Sequence, residues 1–210
     1  KAISEYERAK DNIEIKEIID NVFVADMLHR LANLYLKNND LENAAHVFQK
    51  ILDDKLTNKP VTIYYKLGQI YFEGKRFKDS INEFLRVREI NPHSESISLY
   101  LSVCYEELNE YDKAIAELTP LLDEHSEAWH IRLSLSNIYE KTKNFELTQL
   151  EREKVSEILM KNVRNGSTDI REYIVLSQLL HQTGRKTEAI DNLKTGLTYL
   201  HNKIDAESLQ

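Results

Sequence analysis

Residues 63–92 read IYYKLGQIYFEGKRFKDSINEFLRVREINP, and the spacing inside this stretch decides the fold. Ile63, Leu67 and Ile70 precede or adjoin Tyr71 at offsets that return to one side of an α-helix, giving a broad apolar stripe. A short polar break follows, Glu73-Gly74-Lys75, and then a second helical pattern of Phe77, Ser80, Phe84 and Val87. Two amphipathic helices joined by a tight turn make a helical hairpin.

Moving outward, the same unit recurs. Tyr71, Tyr105 and Tyr139 are 34 residues apart, and Tyr35 precedes Tyr71 by 36. The columns four residues earlier are Leu31, Leu67, Leu101 and Leu135; eight earlier they are Met27, Ile63, Ile97 and Ile131. Immediately before each tyrosine come Leu34, Ile70, Cys104 and Ile138. A weaker fifth copy has Leu176, Leu179 and Leu180, with Glu172 where an apolar residue is expected. Polar breaks follow at Asn38-Asn39-Asp40, Leu108-Asn109-Glu110, Lys141-Thr142-Lys143 and Thr183-Gly184-Arg185. Second helices then carry Leu41/Ala44/Phe48/Ile51 and Tyr111/Ala114/Leu118/Leu121, and the small member of each set lets two helix backbones approach. Asp40, Asp112 and one of Thr168 or Asp169 are expected at helix starts.

These columns resemble the tetratricopeptide repeat: Tyr64, Leu67, Gly68, Tyr71, Ser80, Phe84 and Pro92 in one copy, and Leu28, Leu31, Ala32, Tyr35, Ala44 and Phe48 in the copy before it. The resemblance implies an all-α, right-handed helix-pair solenoid of about five repeats plus a truncated N-terminal repeat. The expected divisions are 1–24 (truncated repeat helix and connection, with Ala2, Tyr6 and Ala9), then repeats at 25–60, 61–94, 95–128, 129–169 and 170–210. The fourth repeat is longer than the period, so its second helix is expected to extend through residues 155–164 and end at Asn165-Gly166. Ser136, Thr148 and Arg152 depart from the family's columns, which predicts a loosely packed second helix there. Pro120 is expected to end or kink the third repeat's second helix, because it removes a backbone donor.

Composition narrows the function classes. Hydrophobic residues at 41% and charged residues at 30% suit a folded chain, and only 5 Gly and 3 Pro suit long helices over many short strands. The net charge of −7 gives no global attraction for nucleic acid or anionic lipid. Residues 106–127 carry eight acids against Lys113, so this stretch equals the whole net charge; a solvated outer helix face is the expectation. One cysteine, Cys104, in an apolar column reads as a buried structural thiol in a reducing, cytoplasmic setting.

Catalytic signatures are weak. Gly74-Lys75 with Gly68 has the wrong spacing for a phosphate loop, and Arg76 stands where Ser or Thr is needed. The seven histidines show no zinc-binding pattern, and Glu106-Glu107 point to different helix faces. The expectation is therefore no enzyme, no cofactor and no metal. The family resemblance places a partner-binding groove on the first helices, at His29, Asn33, Tyr65, Gln69, Phe72, Leu99, Val103, Leu133 and Asn137. Apolar side chains with interspersed amides suit a bound protein or peptide segment, with no nucleic acid and no membrane insertion. A carboxylate-clamp set is not expected, since only Asn33 matches it while His29, Ser96 and Tyr100 replace its cations and Lys66 its amide. The alternatives are a docking part of a larger enzyme, or a self-assembling scaffold.

Overall fold

The computed structural model describes Ile3, residues 21–57 and residues 59–208. The truncated-repeat reading of Ala2, Tyr6 and Ala9 and most of the connection lie outside those residues. Ten α-helices and no strand occur among the described residues. They are α1 (Asn21–Lys37), α2 (Leu41–Asp53), α3 (Pro60–Glu73), α4 (Phe77–Ile90), α5 (Glu95–Glu107), α6 (Tyr111–Glu124), α7 (Trp129–Lys141), α8 (Phe145–Arg164), α9 (Ile170–Gln182) and α10 (Lys186–Ser208). The chain forms two compact units, Lys1–Glu117 and Leu118–Gln210.

Each hairpin turn is built the same way. Asn39, Lys75, Asn109, Lys143 and Gly184 all adopt positive φ, between 56° and 79°. The following amide donates back to the tyrosine-column carbonyl: Asp40 N to Tyr35 O at 2.9 Å, and Arg76 N to Tyr71 O, Glu110 N to Tyr105 O and Asn144 N to Tyr139 O, each at 2.8 Å. Arg185 N to Leu180 O completes the series at 2.8 Å. This is a Schellman closure, which satisfies carbonyls that the ending helix leaves free. Gly74 has ordinary φ while Lys75 takes the left-handed position, so the glycine in that turn does not do the reversing. Helix starts are capped by Asp40 (accepting from Asn43 N, 3.2 Å), Asn144 (from Leu147 N, 3.2 Å) and Asp169 (from Arg171 N, 2.9 Å).

In the first unit α1–α2 and α3–α4 are packed hairpins, and α2–α3 and α4–α5 contacts join them in series. Ala44, Ser80, Gly68 and Leu67 are buried between the paired helices. A Cβ on Gly68 would meet the Phe84 ring at 2.6 Å, and Ser80 Oγ donates to Gly68 O at 2.8 Å. One core gathers Leu28, Leu31, Phe48, Ile51, Ile63 and Leu67; a second gathers Ile81, Phe84, Val87, Ile97, Leu101 and Cys104. Cys104 is fully buried, and burial pushes its thiol pKa up.

In the second unit α7–α8, α8–α9 and α9–α10 pack in turn. Here α8 has 20 residues, against 13 or 14 in α2, α4 and α6. Of the two outcomes expected at Pro120, ending the helix does not occur: α6 runs through it to Glu124, and one lost backbone donor is outweighed by a helix that keeps Leu118 and Leu121 buried on either side. Nor is α8 loosely packed: Thr148, Glu151, Val155 and Leu159 are all buried. Thr148 Oγ1 donates to Asn144 O at 2.8 Å, and Arg152 reaches Glu140 at 2.6 Å, so the departing residues are absorbed by polar bonds.

Candidate protein-binding face

The apolar columns of α3 and α5 turn one set of side chains into the core and leave the neighbouring set on the opposite flank. On that flank Tyr65, Gln69 and Phe72 of α3 converge on one residue of α5, Tyr100. Gln69 Nε2 donates to the Tyr100 hydroxyl at 3.0 Å. The Tyr100 ring lies 5.2 Å from Phe72 and 6.2 Å from Tyr65, both edge-to-face, and stacks on Phe84 at 4.7 Å. These are favourable aromatic geometries that fix the ring positions. Tyr65 and Phe72 are consequently half-buried, each with one face on a neighbour inside the chain. Burial, and then the adjacent Tyr100, push the Tyr65 phenol pKa up.

Leu99 is half-buried and Val103 exposed on α5. On α1, Asn33 is exposed, while His29 packs edge-on against Phe48 at 5.4 Å. Lys66 places its ammonium 5.5 Å from the same Phe48 ring. Burial first, then the nearby Lys66 charge, lower the His29 pKa, with Asp26 opposing them. Of the nine expected site residues, the structure thus brings three, Tyr65, Gln69 and Phe72, into direct contact around a residue not among them. Tyr100 occupies the column of Lys66, one position beyond that of Leu99, and an aromatic there was the available signal.

The remaining two, Leu133 and Asn137, lie in the second unit. Leu133 packs half-buried against a core of Val155, Leu159 and Leu176, and Asn137 is exposed. The polar bonds of this unit are more extensive than the sequence suggests. Arg132 donates to Glu151 (2.8 Å) and twice to Ser126 O (2.9 and 3.1 Å). Burial alone would raise the Glu151 pKa, but hydrogen bonds from Lys154 and Arg132 hold it below the usual carboxylate value. Glu172, buried at 7% exposure, accepts from Trp129 Nε1 (3.1 Å) and Asn162 Nδ2 (2.7 Å) through Oε1. An open cleft of about 650 Å³ beside α8 and α9 is lined by Arg152, Glu153, Glu157, Met160, Leu179 and Arg185, none of them an expected site residue. Among the described residues no cluster of three or more His, Cys, Asp or Glu could hold a metal ion. No helix among them is long and apolar enough to cross a membrane.

Comparison with known proteins agrees with the repeat. Residues 29–95 match the family described as tetratricopeptide repeat. A stretch of 59 residues is 34% identical to anaphase-promoting complex subunit 3 of Dictyostelium discoideum; it covers 28% of this chain and spans only 6% of that relative's length. Among solved structures, a crystal structure of MamA superposes with a TM-score of 0.58 at 19% identity, covering 83% of this chain and 97% of the other. MamA 41-end from Desulfovibrio magneticus RS-1 gives 0.59 at 13% identity, with 85% and 96% covered. A putative kinesin light chain from Podosopora anserina, with nearly identical TPR-like repeats, gives 0.61 at 13% identity, with 84% and 94% covered. At these identities the likeness is one of fold, an all-α helix-pair solenoid.

Proposed function

We propose that this helix-pair repeat protein is a protein-interaction scaffold whose first helices hold an extended or helical segment of a partner. Each hairpin from α1–α2 to α9–α10 is read as one repeat, with the long α8 belonging to the fourth. The carrying observation is the pair α3 and α5, where the Gln69–Tyr100 hydrogen bond pre-positions the rings of Tyr65, Phe72 and Tyr100, while α5 also carries half-buried Leu99 and exposed Val103. Anchors already held in place cost little side-chain entropy when a partner docks. Asn33 on α1 and Asn137 on α7 supply exposed amides able to bond a partner's backbone. Leu133 serves on its own unit as an apolar contact.

The test is capture of proteins from source lysate on the immobilised chain beside a Leu99→Glu/Val103→Glu variant, read by mass spectrometry. Tyr65 is unsuitable for this purpose, because its half-buried ring supports Phe84 and Tyr100. A partner retained by the parent and lost by a folded variant supports this face. Equal capture by both rejects it. Apolar anchoring also requires that binding persists from low to physiological salt; a steep fall would mean an ionic mechanism.

A further inference from the structure

The second helix of a hairpin fills one fixed position with an apolar side chain. Thirteen residues after Tyr35, Tyr71 and Tyr105 stand Phe48, Phe84 and Leu118, all fully buried. Thirteen after Tyr139 stands Arg152. Three residues earlier, Ala45 and Ile81 are buried, whereas the matching Gln149 on α8 is exposed. Arg152 does not fill the place of a phenylalanine, because its guanidinium turns to Glu140 in a two-bond pair of 2.6 and 3.3 Å. Gln149 and Arg152 both line the open cleft of about 650 Å³ beside α8 and α9, so the cleft lies where the other second helices are filled. It follows α8 from Gln149 to Met160, about 16 Å at 1.5 Å per residue, and has the size of a ligand cleft. Buried Leu179 and half-buried Met160, which belong to one core, give it an apolar wall.

The charges of this cleft do not balance. Its two cations are engaged within the chain, Arg152 by Glu140 and Arg185 by Glu188 through two bonds of 2.6 and 2.7 Å. Glu153 and Glu157 line the same cleft, one helical turn apart on one side of α8. The lysines that flank them in sequence are taken elsewhere, Lys154 by Glu151 (2.8 Å) and Lys161 by Glu127 (2.7 Å). Among the described residues no ion pair reaches Glu153 or Glu157; Glu153 accepts from the uncharged Gln149 amide at 2.9 Å. We propose that the cleft receives a basic side chain of a protein partner, its aliphatic stem against Met160 and Leu179 and its cationic head between Glu153 and Glu157. Long basic side chains are apolar along the stem and charged at the tip, which matches the two parts of the cleft. An arginine fork can hydrogen-bond both carboxylates at once. An apolar side chain would set the two carboxylates against hydrocarbon, and an acidic one would meet like charge. None of these residues belongs to the α3–α5 face, so the contact is additional to the one there. Because both carboxylates are exposed, it should weaken as salt is raised.

The chain has two methionines, Met27 on α1 and Met160 in the cleft. Nuclear magnetic resonance of carbon-13-labelled methionine methyls therefore reads the cleft in one signal and a remote control in the other. The probe is a capped hexapeptide alternating glycine with arginine, beside a counterpart with citrulline, which keeps the shape of arginine without its charge. The arginine peptide is expected to shift the Met160 signal saturably and to leave Met27 in place. The citrulline peptide should bind at least tenfold more weakly. Glu153→Gln/Glu157→Gln should weaken arginine-peptide binding at least tenfold, while Asp123→Asn/Glu124→Gln, which removes the same charge from α6, should change it less than twofold. Arg152→Phe restores the residue type of Phe48 and Phe84, and should abolish the Met160 response with far-ultraviolet helicity unchanged. General attraction by net charge predicts the opposite, since losing a cation makes the chain more acidic. A Met160 signal untouched by the arginine peptide overturns the proposal. So does equal binding of the citrulline peptide, equal loss from the two acid pairs, or tighter binding by folded Arg152→Phe.

Discussion

Arg132 on α7 and Glu151 on α8 are joined at 2.8 Å with side-chain exposures of only 14% and 10%, so one ion pair ties the two helices of a hairpin together almost out of water. Arg132 stands in the column of Leu28 and Tyr64, and Glu151 in none of the apolar columns. Two more bonds from Arg132 to Ser126 O anchor the segment entering α7.

Removing Arg132 leaves Glu151, almost out of water, with Lys154 as its remaining cation at 2.8 Å. Arg132→Ala is expected to cost about 3 kcal/mol in urea denaturation, whereas the paired change Arg132→Met/Glu151→Leu should cost much less. Because the Glu151 pKa is lowered on folding, its contribution is present above the unfolded carboxyl value and is lost as pH falls through the folded one. Equal losses for the single and paired changes would contradict this account.

The hairpin turns allow a test of backbone strain. Lys75 holds φ of 56°, and replacing it with glycine removes that strain, for a gain of about 0.5 kcal/mol after glycine's own entropy cost. Gly184 holds φ of 79° with open space around its Cβ position, so Gly184→Ala should lose about 1 kcal/mol through the backbone alone. Thermal melting of the two variants should move in opposite directions.

Helix propensity alone says that Gly68→Ala should stabilise α3 by about 1 kcal/mol. The structure reverses the sign. The added methyl would meet the Phe84 ring at 2.6 Å, and that ring is fully buried and cannot swing aside. A net loss of about 2 kcal/mol is expected. Since Phe84 supports Tyr100, partner binding on the α3–α5 flank should weaken in the same variant.

Trp129 is the single tryptophan and therefore reports on Glu172 without interference. Glu172→Ala leaves the indole N–H and the Asn162 amide without their shared acceptor, at a cost of about 3 kcal/mol. Glu172→Gln keeps an acceptor and should cost less. Tryptophan emission should shift to the red in the alanine variant; an unchanged spectrum would show that the hydrogen bond is not formed in solution.

His29 makes stability pH-dependent near neutrality. Its folded pKa lies below the ordinary 6.5, so the unfolded chain takes up the proton first. Stability is full above 6.5 and falls as pH drops from there through the folded value. Urea midpoints measured across that window should decline in the parent and decline less in His29→Asn. Identical slopes would remove His29 as the cause.

What could be read in advance followed from periodic burial. Offsets of eight, four and one before Tyr35, Tyr71, Tyr105 and Tyr139 are a property of helical geometry, and they locate the apolar face of each first helix without reference to anything distant. Glu172 shows where that logic stops. It stands in an apolar column, yet the structure buries it by supplying donors from Trp129 and Asn162, 43 and 10 residues away. Arg152 and Thr148 likewise looked like defects in a column and are accommodated by Glu140 and Asn144.

The binding flank divides in the same way. Tyr65, Gln69 and Phe72 could be named from their place between the core columns, but their convergence on Tyr100 depends on how α5 lies against α3. By itself, then, the sequence determined the helix pairs, their turns and the columns that bury them, because those depend on neighbours within a few residues along one helix. Tertiary structure alone decided which side chains outside the columns are free. Burial of Tyr65 and exposure of Val103 depend on whether another helix arrives to cover the face, and local spacing carries no information about that arrival.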